Sequence, residues 1–246
     1  MRWRYGLFLG LLLWYPQAFA DPSYWLRSGE SIWSGPGSAW LRFETAGGAR
    51  WNRKWSSSLA WENENRYGQN AWEAEGRLGY SPDRGERFSL QLGGGSGAWV
   101  PYFQTQLGWY PALGQGSLHL LVSELCYPAS RLSELGTGQS WYWGNWRAYA
   151  QVTVFAQQGQ GGDYLLWGSQ ASLTRYFGPN RLTLFGGDGL SPTGNASQPL
   201  ARNWSVALVW QQRLTRSWTW TPVLQVRRFA GEPLSWGAGL FFRYRF

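Results

Sequence analysis

His119 is the only histidine of the chain, and on an extended segment it shares one face with Ser117, two residues before it, and Ser123, four after. A hydroxyl beside an imidazole is the minimum apparatus of acyl transfer, and Glu134 on the next predicted strand would serve to orient the ring. The His-x-Ser order of lipid hydrolases built on such a pair is not met, because position 121 is Leu. Leu118, Leu120 and Val122 also turn His119 to the face opposite the apolar one. The expectation is therefore a hydrogen-bonded histidine on a polar wall and no enzymatic activity, with a lipid acyl hydrolase using His119 as the alternative. Glu73 and Glu75 lie about 7 Å apart along a strand, within the separation of a glycosidase pair, but paired acids on a solvated wall are the commoner arrangement.

Other chemistries find little support. One histidine, one cysteine and dispersed carboxylates offer no metal-ligand spacing, and no cofactor is expected. The glycine-rich GGGSG (93 to 97) and FGGDG (185 to 189) lack the lysine and the strand-to-helix context of a phosphate loop and read as loop starts. Cys126 cannot form a disulfide within the chain and reads as a packed thiol.

The elements that would position these residues are strands. Trp204, Val206, Leu208 and Trp210 alternate with Ser205, Ala207 and Gln211, and Trp146, Ala148, Ala150, Val152 and Val154 alternate with Arg147, Tyr149, Gln151 and Thr153. The last twelve residues, SWGAGLFFRYRF, place Trp236, Ala238, Leu240, Phe242, Tyr244 and Phe246 on one face and end on an aromatic. Several stripes carry tryptophan near one end with aliphatics behind it, as an interfacial girdle requires. The composition agrees: 20 Trp, 13 Tyr, 12 Phe and 33 Gly at a mean hydropathy of −0.40, a mixture suited to strands of which every second residue meets lipid.

At the other terminus Arg2 and Arg4, the apolar run Gly6 to Tyr15 and Ala18-Phe19-Ala20 form an export signal over residues 1–20, cleaved before Asp21. The run is too short to span about 30 Å of hydrocarbon. Residues 21–246 then make one barrel domain, and the formal charge of +8 loses Arg2 and Arg4 to become +6. An exported chain with scattered basic residues does not point to nucleic acid. The excess reads as lumen and turn charge that favours anionic solutes or lipopolysaccharide phosphates.

Short polar breaks at 46–50, 81–86, 111–116, 143–145, 177–180 and 213–217 interleave with looser ones at 34–37, 62–70, 93–99, 127–136, 157–163, 188–202 and 229–235. The pattern predicts an all-β, antiparallel up-and-down transmembrane β-barrel of about fourteen strands, with twelve as the other count. An even count puts both termini and the short turns on the periplasmic side and the longer loops outside. The largest, Asp188 to Arg202, is the candidate recognition loop or inward constriction. Tyr67, Trp99, Tyr102 and Tyr127 fall near the external ends, as girdle or sugar-stacking residues.

In this register Arg42, Glu44, Glu62, Glu73, Glu75, Arg77, His119, Arg147, Arg227, Arg243 and Arg245 line the lumen, with Gln91, Gln104, Gln106, Gln151 and Gln225. A charge facing lipid near the midplane costs several kcal/mol, which argues for the inward placement. Acids gather on the early strands and arginines on the late ones, so closure would set Arg243 and Arg245 beside acids and favour Arg–Glu pairs across the lumen.

The closing unit from Asn203 to Phe246, the hairpin DYLLWGSQASLTRYFGPNRLTLFGGDG (163 to 189) and the segment SLHLLVSELCYPASRLSELGTGQSWYWGNWRAYAQV (117 to 152) resemble the YaiO family of outer-membrane β-barrel proteins. The resemblance implies a barrel in the outer membrane of a Gram-negative bacterium, porin-like in form, working as a pore or a component of envelope and surface-polysaccharide biogenesis. A non-conducting structural or receptor barrel is the other reading. Phe242, Tyr244 and Phe246 would be read by the barrel-assembly machinery. Further partners would be outer-membrane lipids, lipopolysaccharide and polysaccharide or small solutes, with the protein a monomer. The family supplies no catalytic residues.

Overall fold

The computed structural model describes residues 23–35, 38–66, 68–82, 85–159, 163–195, 198–229 and 233–246. The export signal over 1–20, its cleavage point and Tyr67 lie outside the described residues.

The strands are β1 (Ser23–Gly35), β2 (Ser38–Arg50), β3 (Trp55–Arg66), β4 (Gln69–Tyr80), β5 (Phe88–Ser96) and β6 (Phe103–Trp109). A two-residue β7 (Ala112–Leu113) precedes β8 (Gly116–Cys126), β9 (Ser130–Trp143), β10 (Trp146–Gly159) and β11 (Tyr164–Phe177). The chain finishes with β12 (Asn180–Asn195), β13 (Gln198–Arg213), β14 (Trp218–Phe229) and β15 (Ser235–Arg245). Apart from β7, which pairs with β8 alone and trims a turn, each pairs antiparallel with its neighbours along the chain, β6 pairs directly with β8, and β1 pairs with β15, so fourteen strands close on themselves. Closure leaves no edge strand in the barrel wall, the condition for a sheet to sit in lipid. Among the described residues no helix is long and apolar enough to cross a membrane.

Alternation decides what each wall shows. Leu41, Phe43, Leu78, Leu92, Leu107, Val122, Leu135, Val152, Leu173, Leu184 and Leu224 are exposed on the outside, whereas their sequence neighbours turn inward. Trp55, Phe88, Trp109, Trp141, Trp143 and Trp218 ring the end that carries the termini, and Trp72, Trp167, Trp204 and Trp236 mark the other. We call these the terminal end and the far end.

The terminal-end turns fall where the breaks predict, with one exception. Gly144 and Gly178 take φ of 51° and 59° in two-residue hairpins, a backbone that side chains resist. The exception is 46–50, which is strand: Ala46 to Ala49 pair with both β1 and β3, and the chain reverses at 51–54 instead. Small residues there serve packing, since a Cβ on Gly48 would meet the Trp25 ring at 2.7 Å.

At the far end the described residues carry strand further than the breaks predict. β3 continues to Arg66 and β4 resumes at Gln69, with Asn65 Nδ2 donating to Asn70 Oδ1 at 2.8 Å across the hairpin. Only 127–129 of the segment 127–136 leaves the sheet. The stretch 188–202 is a correction in kind: β12 and β13 pair through Pro192↔Leu200 and Asn195↔Gln198, making a hairpin arm. β11 accompanies β12 only to Ser169↔Asp188, and β14 accompanies β13 only to Asn203↔Phe229. Polar, glycine-rich composition reads as loop in isolation, but cross-strand pairing satisfies the backbone beyond the apolar belt just as well.

Candidate functional site

The lumen wall is built from inward positions of strands whose outward positions are apolar. On β2, β3 and β4 the carboxylates Glu44, Glu62 and Glu73 stand directly opposite one another in register. Like charges in such a row repel, and arginines and amides intervene. Arg42 contacts Glu62 at 2.5 Å and Glu44 at 3.8 Å, and Arg27 reaches Glu44 at 2.8 Å. Gln104 donates to Glu73, while Gln91 donates to Glu75 at 2.7 Å and accepts from Arg77 Nε at 3.1 Å. Arg27 is a lining residue that the sequence reading missed, although its place between Leu26 and Ser28 in an alternating stripe would have found it.

The pairing across the lumen expected of Arg243 and Arg245 does not occur. Among the described residues every ion pair joins residues of the same or adjacent strands. The arginines near the closing seam stack on aromatics in three tiers, and Arg27 keeps its contact with Glu44 besides. Trp25 lies over Gly48 of β2 and carries Arg243 at 4.4 Å; Phe241 lies over Gly29 of β1 and carries Arg27 at 4.7 Å. Trp33 lies over Gly237 of β15 and carries Arg227 at 4.0 Å, which also sits 4.0 Å from the Trp40 ring. In each tier the glycine is the register partner of the aromatic, so the ring lies flat on the neighbouring strand and offers its face to a guanidinium. Arg245 lines a cavity of about 170 Å³ with Arg213, Arg216 and Arg243 at the terminal end.

Near the far end the inward side chains become aromatic. Trp33 and Trp40 stack at 6.1 Å, Trp99 donates to Glu64 at 3.2 Å, and Arg66 both bonds Glu64 at 2.8 Å and lies over Trp40 and Trp99. Tyr127, Leu132 and Phe155 form a second buried group. Burial pushes the Tyr127 phenol above its ordinary range, with Glu134 adding to the effect. Trp99 and Tyr127 are thus packed inside the mouth and do not belong to an outer girdle, whereas Tyr102 is exposed.

His119 faces inward near the terminal end. Its Nε2 lies 2.9 Å from Ser117 Oγ and 3.1 Å from Ser140 Oγ, Ser140 accepts from Arg147 at 3.0 Å, and Tyr110 and Tyr149 flank the imidazole. The Ser–His contact is real, but Glu134 is spent on Ser123 at 2.5 Å, with Ser123 opposite it in register. Both serines crowd the same ring nitrogen, and no carboxylate contact to the imidazole accompanies them among the described residues.

Several outward charges depart from the rule that charges turn inward: Glu124 and Arg131, paired at 2.5 Å, share faces with the exposed Val122 and Leu135, and Glu30 and Asp188 are further cases. Glu30 stands among Leu26, Phe43, Leu240 and Phe242 along an outer groove. Asp188 bonds Ser169 at 2.7 Å and Arg202 at 2.7 Å beside Trp167, level with the far-end tryptophans, where ionic groups meet headgroups and not hydrocarbon.

At the terminal mouth the inward side chains and the turns line an open cavity of about 1710 Å³. Arg50, Arg53, Lys54, Arg87 and Arg147 line it, together with His119, Ser117, Tyr110 and Tyr142.

A closed fourteen-stranded antiparallel sheet, apolar outside and charged within, is the fold of an outer-membrane β-barrel. Solved structures of that class share it across nearly their whole length. A loop-deletion mutant of OmpT, an outer membrane protein of Vibrio cholerae, superposes with a TM-score of 0.56 at 8% identity, covering 92% of this chain and 98% of that one. An anion-selective porin from Comamonas acidovorans gives 0.53 at 8% identity over 92% and 99%. A bacterial polysaccharide outer membrane secretin gives 0.56 at 8% identity over 91% and 98%. No family model and no curated protein matches the sequence.

Proposed function

We propose that this chain is a monomeric, non-enzymatic barrel of the Gram-negative outer membrane that passes small polar solutes, its terminal end facing the periplasm. The observation that carries the reading is the direction of the lumen ion pairs. Arg27–Glu44 and Arg42–Glu62 run along the wall between neighbouring strands, so charge is compensated without bridges crossing the axis. Fourteen strands at the usual spacing and tilt give a backbone radius of roughly 14 Å, intermediate between side-chain-filled small barrels and wide porins. The YaiO resemblance belongs to the same proposal and rests on the sequence segments alone.

A second reading is favoured by the far-end packing of Trp33, Trp40, Trp99, Tyr127 and Phe155 inside the mouth: a non-conducting receptor barrel whose β12–β13 arm does the binding. Planar-bilayer recording of the refolded protein separates the two. Stepwise ion conductance supports passage; its absence at every applied potential leaves the receptor reading.

A further inference from the structure

We propose that the cavity at the terminal mouth is a binding site for an acidic oligosaccharide, a short chain of sugar rings carrying carboxylates. Its size comes first: about 1710 Å³, beyond the roughly 300–1,000 Å³ of ordinary small-molecule sites, which suits an oligomer. Its charge comes second. Arg50, Arg53, Lys54, Arg87 and Arg147 line it, and Glu86 is the one acid among the described lining residues.

The cations are held in place. Asn52 Oδ1 accepts from the backbone of Lys54 at 2.8 Å and of Trp55 at 2.9 Å, fixing the turn that presents Arg53 and Lys54. Arg87 exchanges backbone bonds with Tyr110 at 2.8 and 3.2 Å while its guanidinium covers the Tyr110 ring at 4.5 Å. Arg147 is tied to Ser140 and lies 5.6 Å from the Tyr142 ring. Guanidiniums interleaved with tyrosine rings give carboxylates bidentate partners and sugar rings apolar faces, a combination that a simple inorganic anion does not use.

The inference goes beyond passage through the lumen and is read without conductance. Refolded full-length protein in lipid nanodiscs is titrated calorimetrically with trigalacturonate, with maltotriose as the neutral trisaccharide and inorganic phosphate as the bare anion. Expected are saturable binding of trigalacturonate that weakens as salt is raised, a loss of about tenfold in affinity for the Arg53→Gln/Lys54→Gln variant, whose changes are confined to an exposed turn, and tighter binding for Glu86→Gln. Maltotriose binding equally well, phosphate binding as tightly as the trisaccharide, no binding of trigalacturonate, or unaltered affinity in both variants would each overturn the proposal. A barrel that conducts no ions yet binds trigalacturonate in this pattern refutes the passage reading and leaves the site standing.

Discussion

Adding one methyl group at Gly237 should loosen the barrel at the seam where it closes. A Cβ there would lie 2.6 Å from Trp33 Cδ2 and 2.7 Å from Cε3, whereas carbon atoms rest at about 3.5 Å or more. The indole must retreat by about 1 Å, and overpacking of this kind costs about 1–3 kcal/mol. The displaced ring also leaves Arg227, which gives up part of a cation–π contact worth about 0.5–2 kcal/mol, and it disturbs the stack on Trp40. Restricting the unfolded chain returns about 0.4–1 kcal/mol. The net expectation for Gly237→Ala is destabilisation by about 1–2 kcal/mol, read as the urea midpoint of the protein refolded in lipid vesicles. Arg227→Gln alone should cost about 1–2 kcal/mol, and the double variant should cost less than the sum, because both changes damage one contact. A neutral or stabilising Gly237→Ala, or additivity within about 0.3 kcal/mol, would refute the claim that glycine, tryptophan and arginine act as one unit.

Glu30→Leu should stabilise the protein in bilayers by about 1–2 kcal/mol, since it removes a carboxylate from the lipid-facing wall; an unchanged or lower urea midpoint would contradict that placement. If the lumen conducts, Glu44→Gln combined with Glu62→Gln frees Arg27 and Arg42 and should move the reversal potential across a tenfold KCl gradient toward anion selectivity; an unchanged potential would take these residues off the permeation path. His119→Ala should leave fatty-acid release from phospholipid and lipopolysaccharide at background, as for the unmodified protein, and release that depends on His119 would make the Ser117 contact catalytic. Deleting Phe246 removes the backbone bond from its N–H to Tyr24 O at 3.1 Å and its ring from Tyr244, and should slow folding into vesicles several-fold, followed by the heat-dependent gel shift; an unaltered rate would remove Phe246 from the assembly step.

Period-2 alternation made most of the fold legible, because a strand with lipid on one side and water on the other has little freedom in residue choice. Arg42, Glu62, His119 and Arg227 could be placed inward from Leu41, Trp61, Leu120 and Val226 alone. Turn chemistry located the hairpins at 143–145 and 177–180 for a related reason, since glycine at positive φ is a local requirement. The breaks at 46–50 and 188–202 misled because glycine and small polar residues also occur within paired strands. Gly48 is small on account of Trp25 on the adjoining strand, not to turn the chain.

What the sequence determined by itself was therefore the wall: strands that alternate, a closing strand rich in aromatics and an inside lined with charge. Only the tertiary structure decided how that charge is spent. Register set Gly48 under Trp25 between β1 and β2 and Gly237 under Trp33 at the β1–β15 seam, so the late arginines Arg243 and Arg227 stack on aromatics. Register across β2 to β4 brought three carboxylates level and drew Arg27 and Arg42 onto them. Closure gathered the Arg53–Lys54 turn, Arg87 and Arg147, widely separated in sequence, around one mouth. Alternation tells a side chain which face to take, but its partner is fixed by which strand lies beside it and at what offset, and that is a property of the closed sheet.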